Sequence, residues 1–256
     1  MTDRTTETQV LIVDDDPVMG ELLDALLTVE GYRVTRALSG EEALQVAREG
    51  TPQPSVILCD IQMPGMRGDE LARELAILRA EGYIPADTVI LAMSGSSPRA
   101  IESQAFDGFL RKPFTVVDFS QAIEAARAGE ARPDGATVEP STDEASRRPP
   151  LDEKIFEQLK VKIGGDSLRQ LYDMTLDDVR DRLRRIAAAA ERGDEATMRQ
   201  EAHTIKGSCG MVGALELQAL AAATEGGSPV DTSALADFDS ACKRLQRMLN
   251  ERLQAP

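Results

Sequence analysis

Histidine is almost missing from this chain: His203 is the only one. Cysteine is scarce as well. Cys59, Cys209 and Cys242 stand far apart, too few and too scattered for a disulfide framework or a zinc site, and read as reduced core thiols. No apolar run approaches the roughly 20 residues that cross a bilayer, so no membrane association is expected. The opening Met1-Thr2-Asp3-Arg4-Thr5-Thr6-Glu7 has no apolar core of a secretory signal, and a cytoplasmic location is the expectation. Basic charge is in deficit. Lys and Arg number 29 against 44 Asp and Glu, a net charge of −15, which argues against nucleic acid as a direct partner.

What is present fits two soluble domains. A chain of 256 residues with 42% apolar and 29% charged residues has an ordinary globular composition and is long for one core. The acid excess sits early: residues 1–128 carry a net −10, residues 129–150 a net −2 and residues 151–256 a net −3. The first part alternates short β-branched runs (Val10–Val13, Tyr32–Ala37, Val56–Cys59, Val89–Met93, Gly108–Leu110) with amphipathic stretches at Pro17–Glu30, Glu41–Arg48, Asp69–Arg79 and Val116–Arg127. This alternation predicts an α/β domain over 8–128, a five-stranded parallel, doubly wound sheet. Residues 129–150 hold four prolines and almost no large apolar side chains, and read as a flexible linker. Residues 151–256 predict an all-α unit. Asp152–Ile163 is a short lid, and Asp166 caps a long helix to about Arg192. Further helices cover Glu195–Val212, Leu215–Thr224 and Thr232–Leu253, giving a four-helix bundle.

In a parallel sheet the ligand site lies at the carboxyl ends of the strands. That rule gathers Asp14 and Asp15 from strand 1, Asp60 from strand 3, Ser94 from strand 4 and Lys112 from strand 5. An aspartate at a strand end ordinarily caps a turn or helix, and Asp14-Asp15-Asp16 before Pro17 could do just that. Three carboxylates converging from separate strands repel one another and call for a cation. With oxygen donors only and no His or Cys among them, the set favours Mg²⁺ over a transition metal, and Mg²⁺ commonly takes phosphate oxygens as further ligands. A carboxylate nucleophile beside Mg²⁺ and Lys112 suits phosphoryl acceptance.

Leu11-Ile12-Val13-Asp14-Asp15-Asp16-Pro17, Asp60-Ile61-Gln62-Met63-Pro64-Gly65, Ser94-Gly95 and Lys112-Pro113-Phe114 together resemble the receiver domain of two-component response regulators, in order over about residues 8–128. The resemblance implies a flavodoxin-like fold with Asp60 as phosphoacceptor. It implies Asp14 and Asp15 as the acidic pair at Mg²⁺, with the Gln62 backbone carbonyl as a further ligand. Ser94 and Lys112 would hold phosphate oxygens, Lys112–Pro113 would be cis, and Phe109 would occupy the aromatic switch position. Ser96–Asp107 is about one helical turn shorter than is usual in that family.

His203 lies in Glu201-Ala202-His203-Thr204-Ile205-Lys206-Gly207-Ser208. On a helix, Lys206 and Gly207 share its face. Glycine inside a helix costs about 1 kcal/mol relative to alanine, so Gly207 and Gly210 suggest a close approach to the backbone. This window, continuing into Met211-Val212-Gly213-Ala214, resembles the histidine-containing phosphotransfer (HPt) domain over about residues 151–256. The resemblance implies phosphorylation of an exposed His203, a charge-partner role for Lys206, and docking room at Gly207 and Ser208. The alternative, the dimerisation half of a histidine kinase, is opposed by Thr204-Ile205-Lys206-Gly207 where that family carries an acidic residue and a downstream Thr-Pro.

The expectation is therefore a phosphorelay protein that joins a receiver to an HPt bundle. It would be a monomer without kinase activity of its own, fed by an upstream histidine kinase of hybrid type and serving a downstream receiver. A DNA-binding output role is disfavoured by the absence of a basic face in the second half.

Overall fold

A computed structural model describes residues 8–95, 105–129, 149–228 and 230–253. The chain divides into two compact units, Met1–Ala136 and Thr137–Pro256.

The first unit is a sheet of five parallel strands in the order β2-β1-β3-β4-β5, built from β1 (Gln9–Val13), β2 (Arg33–Ala37), β3 (Val56–Asp60), β4 (Val89–Ser94) and β5 (Gly108–Arg111). Its helices are α1 (Pro17–Val29), α2 (Gly40–Glu49), α3 (Gly68–Ala80) and α4 (Val116–Ala128). β3 and β4 are buried at every position, as strands covered by helices on both faces must be. β2 is an edge and carries exposed Arg33 and Arg36, charges that discourage pairing with another chain. One core packs Leu11, Val13, Ile57, Cys59, Ile90 and Ala92 of the sheet against Leu71, Leu75 and Leu78 of α3. Helix starts are written locally. Asp16 accepts the Val18 amide with Pro17 at the first helical position, Ser39 caps α2, and Thr115 with Asp118 forms a reciprocal capping box on α4.

Of the shortened stretch Ser96–Asp107, residues 96–104 lie outside the described residues, as do 130–148 of the expected linker. Where the chain is described again, Asp107 binds β4 twice: its amide donates to the Ile90 carbonyl and its carboxylate accepts the Ile90 amide, both at 2.8 Å. Arg79 at the end of α3 donates to the same carboxylate at 2.7 Å.

The second unit is helical: α5 (Glu153–Ile163), α6 (Gly165–Arg192), α7 (Glu195–Met211), α8 (Leu215–Glu225) and α9 (Thr232–Leu253). α6 packs on α7 and α9, α8 packs on α7 and α9, and α5 lies on α6. One expectation changes. α6 begins at Gly165 without a side-chain cap, so Asp166 sits in its first turn, where a carboxylate complements the helix dipole, and is not the cap. The Met211–Ala214 segment also finds a reason. Tyr172 donates to the Val212 carbonyl at 2.7 Å, and the Asp152 amide donates to the Gly213 carbonyl at 2.8 Å. Gly213 has φ +72°, and a Cβ there would lie 3.0 Å from Ile155 and 3.1 Å from Asp152. The turn after α7 is thus clasped between α5 and α6. A buried Arg182 ties α6 to α7, donating to Asp178 at 2.6 Å and to Glu201 at 3.0 Å.

Candidate functional site

The first site forms where β1, β3, β4 and β5 end. Lys112 reaches inward from the residue after β5 and donates to Asp14 at 2.8 Å and to Asp60 at 2.7 Å. All three side chains are buried, as is Ser94 at the end of β4. The remaining oxygens are held by backbone: the Asp16 amide donates to Asp14 Oδ1 at 2.9 Å and the Gln62 amide to Asp60 Oδ1 at 3.1 Å. Asp16 serves as the helix cap, which leaves Asp14 and the half-buried Asp15 free of that duty. Asp14, Asp15 and Asp60 can present oxygens all within 4.8 Å of one another. Lys112–Pro113 is cis. Phe109, on β5, is partly buried against the core.

Burial, and then the neighbouring Asp60 and Asp16 charges, push the Asp14 carboxyl up to about 7, against the pull of Lys112. Burial opposes the charge on Lys112, yet Asp14 and Asp60 outweigh it and hold the ammonium well above the ordinary lysine value. The pocket therefore carries more negative charge than one ammonium balances. A set of close, all-oxygen donors with excess negative charge fits Mg²⁺.

The second site lies between α7 and α8. His203 Nδ1 is 2.7 Å from Glu225 Oε1, and Lys206 Nζ is 2.6 Å from Glu225 Oε2. One carboxylate thus holds both residues. Burial opposes its charge, but the hydrogen bonds from His203 and Lys206 prevail and bring Glu225 down to about 2. An ionised carboxylate only accepts, so Nδ1 carries a proton, and in the neutral ring the lone pair is on Nε2. Nε2 has no protein hydrogen-bond partner among the described residues and is not sealed from solvent.

Two expectations at this site need correction. The imidazole is not an exposed side chain: His203 is only 7% exposed, because its ring is drawn between α7 and α8 by Glu225. Ser208, expected to leave docking room, does not line an open surface. It is buried, and its hydroxyl donates to the Thr204 and Ile205 carbonyls at 3.1 and 3.3 Å. Gly207 and Gly210 are buried on the same helix. Lys206 does sit beside His203, but its charge is paired with Glu225.

Glu225 escaped the sequence reading. It stands 22 residues from His203 on another helix. One signal was available: a carboxylate as the last residue of a helix opposes the helix dipole, and so needs another reason to be there.

The family model for the response regulator receiver domain matches residues 10–124, and that for the Hpt domain matches residues 170–255. Among curated relatives, the sensory/regulatory protein RpfC of Xanthomonas campestris pv. campestris is 24% identical over 215 residues, covering 82% of this chain and 29% of RpfC. The transcriptional regulatory protein GlrR of Escherichia coli K12 is 34% identical over 164 residues, 61% of this chain and 34% of GlrR. The chain thus spans about a third of these relatives' length. Among solved structures, the response regulator TrrA of Thermotoga maritima, in complex with Mg(2+)-BeF, is 30% identical over 46% of this chain and 98% of TrrA, with a TM-score of 0.39. With five parallel strands in one unit and a helical bundle in the other, the chain carries a response regulator receiver domain followed by an Hpt domain.

Proposed function

We propose that Asp60 accepts a phosphoryl group in the first unit and that His203 carries one in the second. The observation that carries this is the Lys112 ammonium bonded at once to Asp14 and Asp60 at the strand ends, inside a cluster of buried carboxylates. Asp60 is held as the nucleophile by Lys112 on one oxygen and the Gln62 amide on the other. In acceptance, an Asp60 oxygen bonds to phosphorus as the bond from phosphorus to the donor's imidazole nitrogen breaks. Lys112 moves with the charge onto a phosphoryl oxygen, and Ser94 meets another. Mg²⁺ bound by Asp14, Asp15, Asp60 and the Gln62 carbonyl would supply further positive charge to the phosphoryl oxygens.

At His203, Nε2 is the nucleophile. As the N–P bond forms and the aspartyl O–P bond of a partner breaks, the ring gains positive charge. Glu225 on Nδ1–H steadies that charge and fixes the ring's orientation. Lys206 is placed to exchange its contact with Glu225 for one with the arriving phosphoryl oxygens. Phe109 is the switch position of the receiver, and Gly207, one turn on from His203, leaves room beside the imidazole for a docking receiver.

On this reading the receiver covers 8–128, the linker 129–150 and the HPt unit 151–256. The protein takes its phosphoryl group from an upstream histidine kinase of hybrid type and exchanges it with a receiver. It works as a cytoplasmic monomer and does not itself use ATP. Among the described residues, no helix is long and apolar enough to cross a membrane. The test is transfer of radiolabel from a phosphorylated hybrid kinase to the full chain. Asp60→Asn should remove the base-labile label and His203→Gln the base-stable, acid-labile label. Equal labelling of the double variant and the unaltered chain would refute both assignments.

A further inference from the structure

Gly68 opens α3, and its amide donates to the Ile61 carbonyl at 3.2 Å, closing the loop that follows Asp60. A Cβ at this position would lie 2.4 Å from the Asp60 carbonyl oxygen, 2.6 Å from Ile61 Cα and 3.1 Å from the Asp60 carbonyl carbon. These are backbone atoms, and ordinary contact between such atoms is about 3.5 Å, so the shortfall is roughly 1 Å.

Neither side can yield at low cost. Asp60 is the last residue of β3 and pairs in register with Met93, and the Ile61 amide donates to the Met93 carbonyl at 3.2 Å. The Cys59 thiol donates to the same Asp60 carbonyl at 3.2 Å. On the other side, Leu71, Ala72 and Leu75 fix α3 in the core without exposure. A displacement would therefore fall on the segment between them, residues 60–68. That segment orients the Asp60 carboxylate and holds the Gln62 amide that binds it.

We propose that Gly68 is a positioning residue for phosphoryl acceptance at Asp60: the missing side chain lets the start of α3 rest directly on the Asp60–Ile61 peptide and so fixes where the carboxylate stands. This rests on the reading of Asp60 as phosphoacceptor. Gly108 is crowded in a different way. At Gly108 the nearest obstacle is Leu91 Cδ2 at 2.6 Å, the end of a side chain that can turn away.

The test compares Gly68→Ala and Gly108→Ala in the full chain. Three quantities are read: the rate of Asp60 labelling at saturating donor, Mg²⁺ affinity by calorimetry, and hydrogen exchange of the β1, β3 and β4 amides. Gly68→Ala should keep the sheet protected while slowing acceptance about tenfold to a hundredfold, since a misplacement of about 1 Å costs that much. It should weaken Mg²⁺ binding and leave His203 labelling by a separate phosphorylated receiver unchanged. Gly108→Ala should stay within about twofold on all counts. A protected sheet with acceptance within about twofold of the unaltered chain overturns the proposal. Loss of protection throughout the sheet overturns it too, since Gly68 would then serve the fold as a whole. Should the unaltered chain take no label at Asp60, the phosphoacceptor reading fails, and Mg²⁺ affinity alone decides: an unchanged affinity in Gly68→Ala rejects the positioning role.

Discussion

The two candidate sites hold Asp60 and His203 with opposite charges. In the receiver, a carboxylate is gripped by a buried ammonium, Lys112, with Asp14 and Asp15 crowded beside it. In the bundle, an imidazole is gripped by a carboxylate, Glu225, which also takes the ammonium of Lys206. Three carboxylates against one ammonium leave the first pocket short of positive charge, even before Asp16 is counted. One carboxylate against one ammonium leaves the second balanced. The lesson is that the first site has negative charge left over for a dication to meet, whereas the charged side chains of the second meet one another. An anionic nucleophile must be screened from the anionic phosphoryl group it attacks, whereas a neutral imidazole need only be oriented and have its developing positive charge met.

The largest effect that tests this contrast is removal of Lys112. Lys112→Met strands the buried Asp14 and Asp60 charges. The receiver should lose about 3–5 kcal/mol of stability in the absence of metal, and acceptance at Asp60 should fall by about two orders of magnitude. Because Mg²⁺ supplies charge to the same carboxylates, it should raise the variant's unfolding midpoint more than that of the unaltered chain. Thermal unfolding with and without Mg²⁺ measures both, and an equal Mg²⁺ response in the two proteins would break the contrast.

Next comes Glu225→Gln, which keeps the shape of the side chain and removes its charge. Hydrogen bonds to charged groups are worth about 1.5–3 kcal/mol, so His203 labelling should slow about tenfold to a hundredfold, with Asp60 labelling and Mg²⁺ affinity unchanged. The same carboxylate sets a pH signature. Its value in the fold, about 2, lies below the ordinary 4.5. The stabilisation it gives is therefore fully present above pH 4.5 and is lost as pH falls toward 2. Amide exchange of α7 and α8 should speed up across that window in the unaltered chain and less so in Glu225→Gln.

The difference between the sites also explains what could be read from residues alone. Asp14, Asp60, Ser94 and Lys112 were legible because a parallel sheet delivers every strand's carboxyl end to one edge, so finding the strands finds the site. The helices of the bundle were legible from their apolar spacing to within a residue or two. The partner of His203 was not, because which residue of α8 meets which residue of α7 depends on the packing of two helices, and no local rule fixes that. The burial of His203 was lost with it. The division of labour within Asp14-Asp15-Asp16 was equally hidden. Three like residues in a row say that something is capped and something is bound, and only the backbone path shows that Asp16 does the capping.

A smaller effect sharpens the picture of how the bundle holds its helix. Tyr172→Phe removes the hydroxyl that binds the Val212 carbonyl behind α7. It should cost the bundle about 1–2 kcal/mol in unfolding measurements and leave the initial rate of His203 labelling within about twofold. A loss of labelling without a loss of stability would mean that the turn after α7 takes part in the transfer itself.

The most direct test of the paired design is to phosphorylate the full chain and sort the label by its chemistry, with and without a chelator. Acyl phosphate is lost in base, whereas phosphoimidazole survives base and is lost in acid. The expected result is two populations: a base-labile one on Asp60, whose formation from a small-molecule phosphodonor stops when the chelator removes Mg²⁺, and an acid-labile one on His203, which once formed persists in the chelator. A base-labile label that forms equally well without divalent metal, or a base-stable, acid-labile label that remains in His203→Gln, would contradict it.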